Sequence, residues 1–249
     1  TRRPRPGRAE VEPAVYTAAG GIIVGLMSAG VAMRATREAR HAKLLDRQLN
    51  AEELLKKFSE PLATAAFDLQ SRCYNIVSKG FFRRFGSHHE RFPDAVMTTL
   101  FRFAQYFGWA EILRREIQYL SFPNKDDQTK VVSRTLGEIA GCLASSDDDE
   151  RLMMWVDEQR AIGERMIDDE HASGPRCLGY AAFCDAYDER FAQLFERVVH
   201  DVAAPGSEAR LAKTQHKLCH LVWVLDPAGR RYDKARMKLA PTDTELVGS

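Results

Sequence analysis

The sequence predicts an all-α protein, with one N-terminal transmembrane helix followed by a soluble bundle of about six or seven helices. Three observations lead to this fold class. A charge-free run of twenty residues occupies 14–33, apolar residues recur at helical spacing through most of the remainder, and no segment alternates like a half-buried strand. The predicted organisation is a disordered leader (1–13), the span (14–33), a stalk helix (34–58), an all-α domain (59–232) and a loose tail (233–249).

The apolar run 14–33 is long enough to cross a bilayer. Twenty helical residues rise about 30 Å, which is the thickness of the hydrocarbon core. Arginines flank the run on both sides and it exceeds the usual core of a signal peptide, so a retained anchor is favoured over a cleaved signal or a buried helix of a soluble domain. The small residues Gly21, Gly25 and Ala29 recur every four positions, which predicts a face for packing against another membrane helix.

The segments beside the span are basic. The leader holds four arginines and three prolines without an apolar pattern, as is typical of disorder. Good helix formers follow the span, which predicts that the helix continues through 34–58. Five basic residues in the fourteen positions after the span exceed the four before it, so the positive-inside rule places the C-terminal domain in the cytoplasm by a narrow margin.

Composition and the absence of short motifs argue against several classes of function. The formal net charge is +1 and the positive surplus lies near the N-terminus, so the helical domain lacks the excess expected of a nucleic-acid binder. Five scattered cysteines indicate reduced thiols rather than a disulfide framework. No glycine-rich phosphate loop, GxSxG, HExxH or CxxC occurs in the sequence, and no cofactor is expected.

Helix signals divide the domain. A first helix is predicted from Ser59 and Pro61 to Gly80, followed by a basic, aromatic loop at 81–92 and by one long helix or a kinked pair over 93–120. Further helices are expected at about 128–143, from Ser145 onward, at 179–202 and at 207–225.

One constellation suggests metal chemistry. His200 and Asp201 are adjacent near the end of an apolar helix, with His171 before them and Asp226 after them. This order resembles the signature of the HD phosphohydrolase superfamily, and the resemblance covers these four residues. It implies an all-α enzyme in which they hold divalent cations that activate water for attack on phosphorus.

Other polar groups have structural explanations. His216 and His220 lie one helical turn apart with Cys219 between them, a spacing that suits zinc, but no third ligand is spaced alongside. Ion pairs are expected within helices at Asp68–Arg72 and at Glu111–Arg115. Two helices carry polar clusters that would form a network if they faced each other: Gln70, Arg72 and Asn75 on one, and Gln159, Arg160 and Glu164 on the other.

The expected function is binding rather than catalysis. The main prediction is a membrane-anchored scaffold, sensor or regulatory subunit that associates through its span with a second copy or with another membrane protein. The metal-dependent phosphohydrolase is one alternative. The other is a peripheral binder of anionic lipid, in which the basic stalk and the 81–92 segment, with His88 and His89, contact head groups.

Overall fold

In the computed structural model, the described residues are 53, 56–118, 127–146, 151–168, 174–233 and 237–241. The predicted span, with Gly21, Gly25 and Ala29, lies outside them. Among the helices of the described ranges, none is both long enough and apolar enough to cross a membrane.

The described part of the chain is predominantly helical, which confirms the predicted class. Its elements are α1 (56–79), α2 (Phe81–Arg84), α3 (Phe92–Gln118), α4 (Asp127–Ala144), α5 (Val156–Met166), β1 (Ile167–Asp168), β2 (Arg176–Cys177), α6 (Tyr180–Asp185), a π-helix (Tyr187–Phe191), α7 (Ala192–Asp201) and α8 (Glu208–Leu225). The two strands pair antiparallel, with Ile167 opposite Cys177, between α5 and α6.

The first helix and its end differ from the prediction. α1 already runs from residue 56, so Ser59 does not cap it, and the Ser59 hydroxyl donates to the Lys56 carbonyl at 3.1 Å. Gly80 ends α1 with φ 62° and ψ 43°, a left-handed conformation that favours glycine. The chain then turns into α2, so the 81–92 segment begins with a helical turn rather than a loop.

The fifth helix also begins later than predicted. It starts at Val156 rather than near Ser145, because the backbone N–H of Trp155 donates to the Glu158 carboxylate at 2.7 Å and caps the helix there. Just upstream, Leu152 has φ 57°, which is incompatible with a continuous helix. α3, by contrast, is a single helix of 27 residues rather than a kinked pair.

Buried polar side chains join α1 to α3 and α8. Arg72 donates to the Thr99 hydroxyl at 3.1 Å, and Gln70 accepts a bond from Gln215 at 3.0 Å. The predicted network between α1 and α5 is therefore not formed by these two residues, because they face other helices. The expected Asp68–Arg72 pair is also absent from the ion pairs of the described residues.

The C-terminal tail, predicted to be loose after Tyr232, is held against α8 over residues 237–241. The side chain of Gln215 donates to the Lys238 carbonyl at 3.0 Å and accepts from the Ala240 N–H at 3.1 Å. Ala240 is buried, and its carbonyl lies 2.7 Å from the Nε2 atom of His216. The tail is attached through hydrogen bonds between its backbone and side chains of α8. Such bonds do not require apolar residues at regular spacing in the tail, so the sequence pattern did not reveal them.

Candidate functional site

A cavity of about 410 Å³ lies between α3, α4 and α5. This volume is within the range of sites that take drug-sized ligands. Its wall is mostly apolar and is formed by Tyr106, Phe107 and Ala110 of α3, Leu136, Gly137 and Ala140 of α4, and Val156 of α5. Polar side chains also line it: Glu111, Arg114, Ser133, Gln159 and Arg160.

Two glycines explain why the cavity is open on the α4 side. α3 and α5 approach closely at Gly163, where a Cβ atom would lie 2.6 Å from the Phe107 carbonyl oxygen. A Cβ atom added to Gly137 of α4 would meet no atom within 4 Å. α3 and α5 therefore pack closely at Gly163, whereas the space beside Gly137 of α4 is open to the cavity.

A buried carboxylate lies at the α3 side of the cavity. The Glu111 side chain is 2% exposed and accepts bonds from Arg114 at 2.6 Å and from Arg115 at 3.0 Å. Burial alone would raise the pKa of Glu111, but the hydrogen bonds and charges of the two arginines outweigh burial and hold that pKa below its ordinary value of 4.5. The predicted Glu111–Arg115 pair is confirmed, and Arg114 joins it.

The stability of the domain should depend on Glu111 in acid. A carboxyl group whose pKa falls on folding contributes stability above its unfolded pKa, and this contribution is lost as the pH drops through the folded value. We expect Glu111→Gln to cost about 2 kcal/mol at pH 7 and to flatten the loss of stability below about pH 4.5. Urea denaturation across pH 3–7 measures both effects.

The exposed Glu189, replaced in the same way, is the matched control and should follow the wild-type pH profile. An identical profile for Glu111→Gln and for the wild type would contradict the assignment of acid sensitivity to this carboxylate.

Two further polar groups line the cavity and are only partly satisfied. Gln159 is 5% exposed and its Nε2 donates to the carbonyls of Ala140 at 3.0 Å and Met154 at 2.8 Å. Those two acceptors fix the amide orientation, and the side-chain carbonyl of Gln159 accepts no bond within the described chain. Tyr106 is 3% exposed, and its hydroxyl likewise has no partner among the described residues.

The Tyr106 hydroxyl is held in its neutral form. Burial raises the pKa of this group well above its ordinary value of 10, so it remains a hydrogen-bond donor at physiological pH. Tyr106 and Gln159 thus offer the cavity a donor and an acceptor in a largely apolar wall. Arg160 also lines the cavity; it is half exposed, and the Asp157 carboxylate 3.8 Å away offsets part of its charge.

The three described residues of the HD-like signature are not gathered into a site. Asp201 accepts the backbone N–H of Leu152 at 2.9 Å, and Asp226 accepts three backbone N–H groups of the turn after α8 at 2.9–3.0 Å. His200 is exposed, and His171 lies outside the described residues. Within the described ranges no group of three or more His, Cys, Asp or Glu side chains is placed to hold a metal ion. Both aspartates serve as caps of backbone turns.

The histidines of α8 are likewise used in packing. His216 contacts the Ala240 carbonyl, while His220 is exposed. Cys219 is buried beside the Gln215 amide at 3.2 Å, and all five cysteines are free thiols. No zinc site is formed by this set in the described chain.

Comparison of the chain with protein-family models, with curated proteins and with solved structures gave no match.

Proposed function

We propose that the chain is a membrane-anchored binding protein and that its helical domain takes a small ligand in the cavity between α3, α4 and α5. The observation that carries the proposal is that Tyr106 and Gln159, both largely buried residues, line a mostly apolar cavity with a hydroxyl and an amide carbonyl that have no partner among the described residues. A ligand that forms a hydrogen bond with each of these groups replaces their contact with solvent, and each such bond contributes about 0.5–1.5 kcal/mol to the free energy of binding. Attachment to the membrane rests on the predicted span at 14–33.

The wall defines the ligand class. Most of the lining is apolar, so the ligand needs an apolar body. Its polar group must accept a bond from Tyr106 and donate one to Gln159, which a primary amide or an alcohol does and a carboxylate does not. We therefore propose a neutral amphipathic ligand, and a regulatory or sensing role in which occupancy of the cavity is the signal.

The lining favours binding over catalysis. It contains no His, Cys, Asp or Lys. The candidate nucleophiles in the lining are the hydroxyls of Ser133 and Tyr106, and the candidate general base is the carboxylate of Glu111. Glu111 is engaged by two arginines and has a lowered pKa, which makes it a weak general base. The HD-type alternative gains no support from the placement of its three described residues.

Removing the Tyr106 hydroxyl should weaken binding without weakening the fold. The test is a calorimetric titration of octanamide, as the probe ligand, into the full-length protein in phosphatidylcholine nanodiscs. Tyr106→Phe should bind octanamide about fivefold more weakly, which corresponds to the loss of one hydrogen bond. Its melting temperature should equal or exceed that of the wild type, because the hydroxyl has no partner in the described chain.

Tyr180→Phe is the matched control, since Tyr180 is exposed and does not line the cavity. Octanoate, which cannot donate to Gln159, should bind more weakly than octanamide. Equal octanamide affinity in Tyr106→Phe and wild type would overturn the assigned site, and the absence of octanamide binding to wild type would overturn the ligand class.

A further inference from the structure

A compact basic surface lies at the connection between α1 and α3, residues 79–91, which we call the α1–α3 connection. Its four basic side chains are all exposed: Lys79, Arg83, Arg84 and Arg91. Glu90 is the one carboxylate in this stretch, so the connection carries a formal net charge of +3 from 4 − 1. The whole chain carries only +1, so this stretch is more basic than the average of the chain.

These charges have little compensation within the part of the chain that the structure describes. Lys79, Arg83 and Arg84 form no ion pair within the described residues. Arg91 is 3.5 Å from Asp94, and both side chains are about two-thirds exposed, so this pair is weak. Some basic groups elsewhere on the surface are compensated, as Lys217 is by Glu138 at 2.7 Å.

Aromatic rings fix the backbone beneath the basic side chains. The Phe81 ring lies under the Arg72 guanidinium at 4.0 Å and contacts the Phe85 ring at 5.3 Å between centroids. The Phe82 ring contacts that of Phe92 at 6.3 Å, which ties α2 to the start of α3. All four rings are partly exposed, so the surface combines fixed aromatic edges with unpaired cations.

We propose that the α1–α3 connection docks on an anionic lipid bilayer. Phosphate-bearing head groups complement the uncompensated cations, and amphipathic and aromatic side chains partition into the head-group region. The rings pack against one another in tilted or edge contacts, so they are not presented as open faces on which nucleobases would stack. A lipid surface is therefore favoured over a nucleic acid.

Docking at this point would orient the domain. The connection follows the C-terminal end of α1, about 35 Å along the helix from residue 56. Contact with lipid there would bring the C-terminal end of α1 to the membrane surface. This inference does not depend on the cavity, because none of the cavity-lining residues belongs to the connection.

Hydrogen exchange tests the docking. The full-length protein is reconstituted into liposomes of phosphatidylcholine alone or with about 30% phosphatidylserine, and exchange of the 81–91 amides is followed by mass spectrometry. We expect slower exchange with phosphatidylserine, and loss of this protection in about 1 M salt. Arg83→Gln with Arg84→Gln should lower the docking constant about 25-fold, at about fivefold per charge, and return exchange to the phosphatidylcholine rate.

The control removes the same charge from elsewhere. Arg134 of α4 and Arg197 of α7 are exposed, and their double replacement with glutamine should keep the protection. Equal exchange in the two lipid compositions would overturn the proposal, as would equal loss in the control variant. Protection by a duplex oligonucleotide without any response to phosphatidylserine would overturn it in favour of a nucleic-acid surface. Octanamide binding, measured on the same preparations, tests the proposed ligand cavity independently of lipid docking.

Discussion

Replacing Arg210 with methionine should lower the free energy of unfolding by about 3–5 kcal/mol, the largest loss expected for any single replacement considered. Arg210 is 1% exposed, and its guanidinium donates to the carbonyls of Cys142 at 2.9 Å, Ser145 at 2.8 Å and Arg151 at 3.0 Å. Methionine fills a similar volume but donates nothing, so these buried carbonyls would lose their donor. Thermal denaturation followed by circular dichroism should show a fall of about 10 °C.

The same replacement at an exposed arginine is the control. Arg197→Met on α7 should change the stability by no more than about 0.5 kcal/mol. A loss below about 1 kcal/mol for Arg210→Met would contradict the role given to the buried guanidinium. Because Arg210 binds both the end of α4 and the residues before α5, its loss should also loosen two walls of the cavity.

The sequence was sufficient for helices whose apolar face is long and uninterrupted. α4 and α8 begin and end within one or two residues of their predicted bounds, because buried positions recur at helical spacing between clear terminal signals. The helix predicted over 179–202 is present as well, but a π-helical turn at Tyr187–Phe191 divides it. A π-helical turn changes the hydrogen-bond register from i→i−4 to i→i−5, and the spacing of apolar residues along the chain does not reveal this change.

Features fixed by distant hydrogen bonds were not predictable. The start of α5 depends on a cap made by Glu158 and on a left-handed Leu152 whose N–H is bound by Asp201 of α7. The tail is fixed through Gln215. For Leu152 and for the tail, a polar side chain from another element determines the backbone, and the spacing of residues along the chain carries no record of that partner. Glu158, by contrast, belongs to α5 itself.

The cavity was missed for a related reason. Its polar groups, Tyr106 and Gln159, belong to different helices and fall on apolar faces, so each by itself indicates a core residue. A usable signal was present in α4, where Gly137 and Gly141 weaken an otherwise amphipathic helix without serving as caps. A glycine retained there indicates either close packing or open space, and the fold shows open space.

Replacing Gly137 with leucine should abolish octanamide binding, with affinity falling by at least about tenfold. The new side chain would start from a Cβ position with no atom within 4 Å and extend into the cavity that Gly137 lines. The fold should not suffer, because leucine favours a helix over glycine by about 0.8 kcal/mol. Calorimetric titration and a melting curve on one preparation measure both effects.

Gly141 provides a closely matched control. It lies one turn further along α4, also has open space around its Cβ position, and does not line the cavity. Gly141→Leu should therefore raise the helix propensity equally and bind octanamide like the wild type. Loss of binding in both variants would show that a change in α4 itself, rather than a filled cavity, is responsible.

The most direct test of the central claim is to map where the ligand lies. A photoreactive octanamide analogue that carries a diazirine on its alkyl chain is bound to the full-length protein, irradiated and located by peptide mass spectrometry. Binding in the cavity predicts adducts in the peptides that contain 106–114 of α3 and 133–140 of α4, suppressed by excess octanamide and absent from Gly137→Leu. Adducts concentrated in other helices, or unchanged labelling of Gly137→Leu, would contradict it.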